Sequence, residues 1–237
     1  MMHPIAVTRQ GYHTGALARS AGDERVLGDG THLEIKLEHV SRRFGGRRVF
    51  SDVCADVCFG GILVVTGCNG SGKSTLLRII AGLLTPSSGR VRMYVEGVEV
   101  DHATRRGLIG YVAPDLALYP ELTGVENLVF FAKLRGIPMD RDRLAGLLSQ
   151  VGLKGRGRDF VGNYSSGMQQ RLKYAFALLH EPPVLLLDEP TANLDEEGIA
   201  MVQDTLCRQR RRGAVVLATN ETRELTWGDA VVDLSAS

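Results

Sequence analysis

The sequence predicts an α/β fold built on a mainly parallel sheet, and three observations carry that prediction. Residues 62–65, 184–187 and 215–217 are unbroken apolar runs rich in branched side chains, the pattern of strands buried on both faces. Between them lie segments whose apolar residues recur at helical spacing. The first run ends in a glycine-rich octapeptide that leads directly into one of those helical segments, a strand–loop–helix order.

Taken in order, residues 1–31 show no strand or helix period and read as a disordered extension, rich in glycine and small polar residues. Leu33, Ile35 and Leu37 alternate with Glu34, Lys36 and Glu38, which suits an edge strand with one wet face. Val53, Ala55, Val57 and Phe59 repeat the period. Cys54 and Cys58 share that run and read as core packing rather than zinc ligands; with Cys68 and Cys207 they show no paired metal spacing. Isolated thiols suit a reducing cytoplasm. A helix is expected over 74–84. Thr123 followed by Glu126 forms a capping-box pattern opening a helix through Leu128, Phe131 and Leu134. Leu144, Leu147, Leu148 and Val151 fall on one helical face, as do Ile199, Val202 and Leu206. The stretch 121–180 thus reads as an inserted helical subdomain, and Arg210, Arg211 and Arg212 as a solvated helix end.

Composition narrows the partners. The 237 residues suffice for one domain with a sizeable core. With 28 Lys and Arg against 27 Asp and Glu, nothing in the overall charge calls for nucleic acid. The apolar runs are too short to cross a bilayer, and no basic-then-apolar start suggests secretion, so a membrane role has to come through a partner.

Gly67-Cys68-Asn69-Gly70-Ser71-Gly72-Lys73-Ser74, followed by Thr75, fits the P-loop pattern. Its glycines let successive backbone N–H groups curl around a polyphosphate, and the helix that follows adds a positive end. Lys73 supplies charge for the β- and γ-phosphates of ATP, and the Ser74 hydroxyl can hold Mg²⁺. The run 184–187 ends in Asp188-Glu189. In that order Asp188 suits Mg²⁺ and Glu189 an attacking water.

Tyr164-Ser165-Ser166-Gly167-Met168-Gln169-Gln170-Arg171 resembles the signature of ABC transporter ATPases, in the variant found among exporters. The resemblance runs from Leu33 to Leu234. It implies a P-loop NTPase core of the ABC type, with an antiparallel β-subdomain from the segments near 33–59 and 90–112 and the helical subdomain. It also implies that Ser165 and Gly167 contact the nucleotide of a second copy, so that ATP is hydrolysed in a homodimer or an ABC heterodimer. Phe44 is placed like the aromatic that stacks on adenine. Ala192-Asn193-Leu194-Asp195 is similar to the D-loop, where Asp195 couples the two sites. Two positions depart from the pattern. Pro114 stands where the family has a sensing Gln, with Asp115 beside it as a substitute metal ligand, and Asn220 stands where it has a switch His. Asn donates a hydrogen bond but is never cationic.

The implied function is ATP hydrolysis energising transport through separate membrane subunits, with export favoured by 116–123, which resembles ABC-2 and haem-exporter ATPases. The location is then cytoplasmic, on the inner face of the plasma membrane. Leu116, Leu118 and Tyr119 are read as the surface that meets the membrane subunit. The rival readings are a nucleotide-gated mechanical relay at the membrane and a clamp with little turnover.

Overall fold

The computed structural model describes residues 8–9 and 32–236. Its strands are β1 (Thr8–Arg9), β2 (Leu33–Phe44), β3 (Arg47–Cys58), β4 (Ile62–Thr66), β5 (Ser88–Val95), β6 (Val98–Glu99), β7 (Ile109–Val112), β8 (Val184–Asp188), β9 (Ala214–Ala218) and β10 (Ala230–Asp233). The helices are α1 (Lys73–Ile80), α2 (His102–Gly107), α3 (Gly124–Leu134), α4 (Arg141–Gln150), α5 (Ser166–Leu178), α6 (Glu196–Arg210) and α7 (Thr222–Leu225).

The main sheet has the order β1-β10-β4-β9-β8-β7, all parallel except β1. Successive residues of its strands serve opposite faces. Leu63, Val65, Leu186 and Val216 pack with α1 and the second sheet, whereas Ile62, Val64, Leu185, Leu187, Val215 and Leu217 pack under α3–α6. That two-sided burial is why these runs lack polar alternation. Because the strands are parallel, the loops that follow β4, β7, β8 and β9 all leave one edge of the sheet, where ligands collect in open α/β folds.

The second sheet, β3-β2-β5-β6, is antiparallel. Three expectations change here. First, β2 is an interior strand, paired to β3 and β5, rather than an edge; its polar side chains face solvent while both its backbone sides are bonded. Second, the antiparallel sheet ends at Glu99. Residues 109–112 pair parallel with β8 in the main sheet, because Ile109, Gly110 and Val112 are buried and α2 supplies the crossover. Third, the cysteines are not core. The parity that turns Val53, Ala55 and Val57 inward turns Cys54 and Cys58 out; Cys58 is exposed and Cys54 half-buried. Cys54 Sγ lies 3.5 Å from His39 Nδ1, which pairs at 2.6 Å with Asp52 across irregularities in the β2–β3 register. Of the segment 1–31 only Thr8–Arg9 is described, and it adds an antiparallel edge to β10; the rest of that expectation lies outside the described residues.

In the helical region α3 opens on the reciprocal capping box expected from Thr123 and Glu126. Those hydrogen bonds hold the Glu126 carboxyl below the usual carboxylate range. α4 buries Leu144 and Leu148. Helix α1 runs from Lys73 to Ile80, shorter than the span 74–84, and is followed by a turn through Gly82. Among the described residues no helix is long and apolar enough to cross a membrane.

Candidate functional site

The loop between β4 and α1 is shaped by its glycines. Gly72 has φ +100°, and a Cβ there would sit 2.4 Å from Val49 Cγ1 and 2.8 Å from Phe50 Cδ1. Only a residue without a side chain lets the β2–β3 hairpin close against the loop at this point. Gly67, at φ +144°, would likewise drive a Cβ to 2.6 Å from Ser71 Oγ. Asn69 and Gly70 are exposed at the loop tip, Ser74 and Thr75 are half-buried on the first turn of α1, and Lys73 is buried. The Lys73 ammonium folds back over the loop, donating to the Gly67 carbonyl at 2.8 Å and the Cys68 carbonyl at 3.3 Å. The Cys68 N–H donates to Ser235 Oγ at 3.0 Å.

Asp188 ends β8 at the same sheet edge and is almost fully buried. Burial pushes its carboxyl up, while hydrogen bonding from Ser74 and Tyr111 pulls the other way. The Tyr111 phenol donates to Oδ2 at 3.3 Å, and burial beside that carboxylate raises the phenol itself. Oδ1 has no hydrogen-bond partner. An orphaned carboxylate oxygen beside a P-loop hydroxyl is a costly arrangement for folding alone, and it fits a cation held through Asp188 and Ser74.

Glu189 follows in the left-handed region at φ +52°. Its backbone N–H donates to Ala218 at 2.9 Å, and the side chain is exposed. Asp188 is almost fully buried and Glu189 exposed, so two adjacent acids have different surroundings. Asn220, past the end of β9, donates through Nδ2 to Asn69 Oδ1 at 3.3 Å. The structure therefore brings together the P-loop, Asp188 and Asn220.

Other predicted residues lie elsewhere. Phe44 is exposed at the tip of the β2–β3 hairpin, with the Arg42 guanidinium 4.2 Å from its ring centroid on one face. Asp115 turns to Arg78 at 2.8 Å instead of joining Asp188. Pro114 offers its carbonyl to Lys173 of α5, which also reaches the Ala113 carbonyl at 3.4 Å. Burial lowers that lysine's pKa. Ser165 is the N-cap of α5, accepting from the Met168 N–H at 3.2 Å, and is exposed. A Cβ on Gly167 would lie 3.0 Å from the Asn193 carbonyl, so α5 touches the turn after Glu189. Asp195 caps α6 and accepts from Arg171 of α5 at 2.6 Å, contacts that hold its carboxyl low. Ser165 meets Met168 and Gly167 meets Asn193, both on the side of α5 and the turn after Glu189 rather than at the P-loop.

Leu116 and Ala117 line a cavity of about 440 Å³ with Arg78, Leu83, Tyr111 and Phe176. Leu118 instead packs against the helical core, and Tyr119 stacks edge-on with Phe130 at 5.1 Å. Sequence reasoning missed Tyr111, Lys173 and Asn127, a buried side chain of α3 whose Oδ1 accepts from the Tyr119 N–H at 2.9 Å. Tyr111 was within reach, since it lies on a strand ending at the same edge as Asp188. No local pattern marks the other two.

The description "ABC transporter" fits residues 50–192 as a family. The chain is 37% identical over 195 residues to the ABC transporter ATP-binding protein YdbJ of Bacillus subtilis, covering 81% of this chain and 62% of that protein. It is 32% identical to the linearmycin resistance ATP-binding protein LnrL of the same organism, covering 80% and 62%. The chain thus spans under two thirds of the length of both relatives. Among solved structures, the dimeric post-hydrolysis state of the ATP-binding cassette MJ0796 bound to ADP and Pi superposes with a TM-score of 0.71 at 27% identity, covering 85% of this chain and 94% of that one.

Proposed function

The chain belongs to the ABC transporter ATP-binding family, and on that premise we propose that it binds and hydrolyses ATP to drive transport through separate membrane subunits. The observation that carries this reading is the sheet edge at which the P-loop, Asp188 and Asn220 converge, with Glu189 directly after Asp188. Gly67 to Thr75 cradle the phosphates through backbone N–H groups, and Lys73 leaves the loop carbonyls to pair with them. Ser74 and Asp188 hold Mg²⁺, which when bound neutralises charge on the transferred phosphoryl group. Glu189 polarises the attacking water, and Asn220 donates to the γ-phosphate from beside Asn69. Phe44 offers its open face to adenine. Asp115, engaged by Arg78, is left outside the metal set.

Ser165 and Gly167 form a second anion site at the start of α5, and with no contact to their own P-loop they serve the nucleotide of a second copy. Asp195, tied to α5 through Arg171, then links the two sites. A dimeric relative holding ADP and Pi supports that arrangement. Export is the direction we favour, supported by the resistance protein among the relatives. The cavity beside Leu116 is the site we assign to a segment of the membrane subunit, and that reading supports a location at the inner face of the membrane.

The test is Glu189→Gln. It should bind ATP, stop hydrolysis and accumulate as a dimer in sizing experiments. Adding Ser165→Arg should abolish the dimer while ATP binding survives, with Ser165→Ala as the control for the lost helix cap. A Glu189→Gln protein that stays monomeric at saturating ATP sinks the shared-site reading.

A further inference from the structure

Glu224, on α7, is a carboxylate only 1% exposed, to which the mechanism above gives no role. It accepts a hydrogen bond from the Thr191 hydroxyl through Oε1, and its Oε2 has no partner. Arg223 donates to the same Thr191 oxygen at 3.1 Å. The hydroxyl is therefore polarised between a guanidinium and a carboxylate, a chain in which each hydrogen bond strengthens the next.

Thr191 stands two residues after Glu189, inside a turn held at several points. The Glu189 N–H is fixed to Ala218, the Ala192 N–H returns to the Glu189 carbonyl at 3.1 Å, and Tyr174 of α5 donates to the Pro190 carbonyl at 2.8 Å. On the other side, α7 begins just after Asn220, and the Glu221 N–H is bound to Thr219 Oγ1 at 2.9 Å. Glu224, with Arg223 beside it, thus joins the turn carrying Glu189 to the turn carrying Asn220, and Glu224 is the buried one of the two. Both turns line one cavity of about 220 Å³, with Asn193 and Arg223.

Folding alone does not call for an acid here. A buried carboxylate with an orphaned oxygen costs desolvation energy that an apolar residue of similar size avoids. We propose that Glu224 is a positioning residue: through Thr191 it locks the Glu189 turn in register with Asn220, so that both address the same phosphate. This rests on the ATPase reading above.

The experiment compares wild type, Glu224→Leu, Glu224→Gln, Thr191→Val and the Glu224→Leu/Thr191→Val double variant. Single-turnover ATP hydrolysis, ATP affinity and thermal midpoint are measured for each. Glu224→Leu should slow the single turnover by about tenfold or more, the effect of losing one charge-assisted hydrogen bond, with ATP affinity within about twofold of wild type. Gln, which still accepts from Thr191, should keep most of the rate. Thr191→Val should match the Leu variant, and the double variant should be no slower than either. The proposal is overturned if Glu224→Leu turns over at the wild-type rate, if its affinity falls in step with the rate, or if the two losses multiply. If the Leu variant does not fold, Thr191→Val against Glu224→Gln decides: a Thr191→Val protein as fast as wild type overturns it. Wild type that binds ATP without hydrolysing it would sink the ATPase reading itself, a different outcome read from the same data.

Discussion

Asn127 shows how much of the surface beside the site hangs on one side chain. It is fully buried in α3, and its amide serves the loop 113–122 from below. Oδ1 accepts the Tyr119 N–H at 2.9 Å, and Nδ2 donates to the carbonyls of Tyr119 at 2.9 Å and Thr123 at 3.0 Å, with a longer contact to Leu122 at 3.4 Å. Three well-formed hydrogen bonds at about 1 kcal/mol each give about 3 kcal/mol for Asn127→Ala, with the fourth contact neglected. For a domain of this size each kcal/mol moves the midpoint by roughly 2–4 °C, so calorimetry should show a fall of about 6–12 °C. Asn127→Asp is a sharper variant. It keeps the acceptor for Tyr119 but sets a carboxylate against carbonyl oxygens, so it should be destabilised at least as much at neutral pH and partly recover on acidification, when the acid regains a donor. ATP affinity should change in neither variant, because Asn127 contacts no P-loop residue. A midpoint within 2 °C of wild type for Asn127→Ala would refute the argument.

Asn220→His should speed the single-turnover step by about five- to thirtyfold, since a charge-assisted hydrogen bond exceeds a neutral one by about 1–2 kcal/mol. An Asn220→Ala protein as fast as wild type would remove Asn220 from the chemistry. Burial, reinforced by Arg135, holds His180 neutral down to about 4. The unfolded chain takes up that proton below about pH 6.5, so stability should fall as pH drops from there toward 4, by about 1–2 kcal/mol after allowance for partial exposure. His180→Gln, which can still donate to Ile109, should flatten that part of a pH–denaturation series; an unchanged slope would show another group responsible. Leu116→Glu should block recruitment to membranes that carry the membrane subunit while leaving ATP binding intact, and loss of folding instead would mean that Leu116 serves the core.

The sequence announced what depends on neighbours in the chain. The P-loop, the strand ending in Asp188-Glu189 and the capping box at Thr123 are each read from a few consecutive residues, because turn glycines, buried runs and caps are local requirements. Position within a sheet is not local. Leu33, Ile35 and Leu37 show which face of β2 is wet but cannot show that both its backbone edges are bonded. The parity that sets Cys54 and Cys58 opposite Val53, Ala55 and Val57 is itself legible in the string, and it turns both cysteines away from the core. Residues that act across the fold carry little or no signal: Tyr111, on a strand that ends at the same edge, gives only that hint of meeting Asp188, while nothing local marks that Lys173 grips 113–114 from another helix or that Glu224 reaches Thr191. Asp115 looked available as a ligand only because Arg78, its partner, lies on α1.

The backbone at Glu189 sets two selective pressures against each other. A residue with a side chain pays about 1–2 kcal/mol to sit in the left-handed region, and glycine pays almost none. The chain therefore gives up stability at the position that we propose addresses the attacking water. A screen for heat resistance that ignores turnover would accept glycine there and discard the carboxylate. Selection for work done per ATP would restore it, at the cost of a less stable fold.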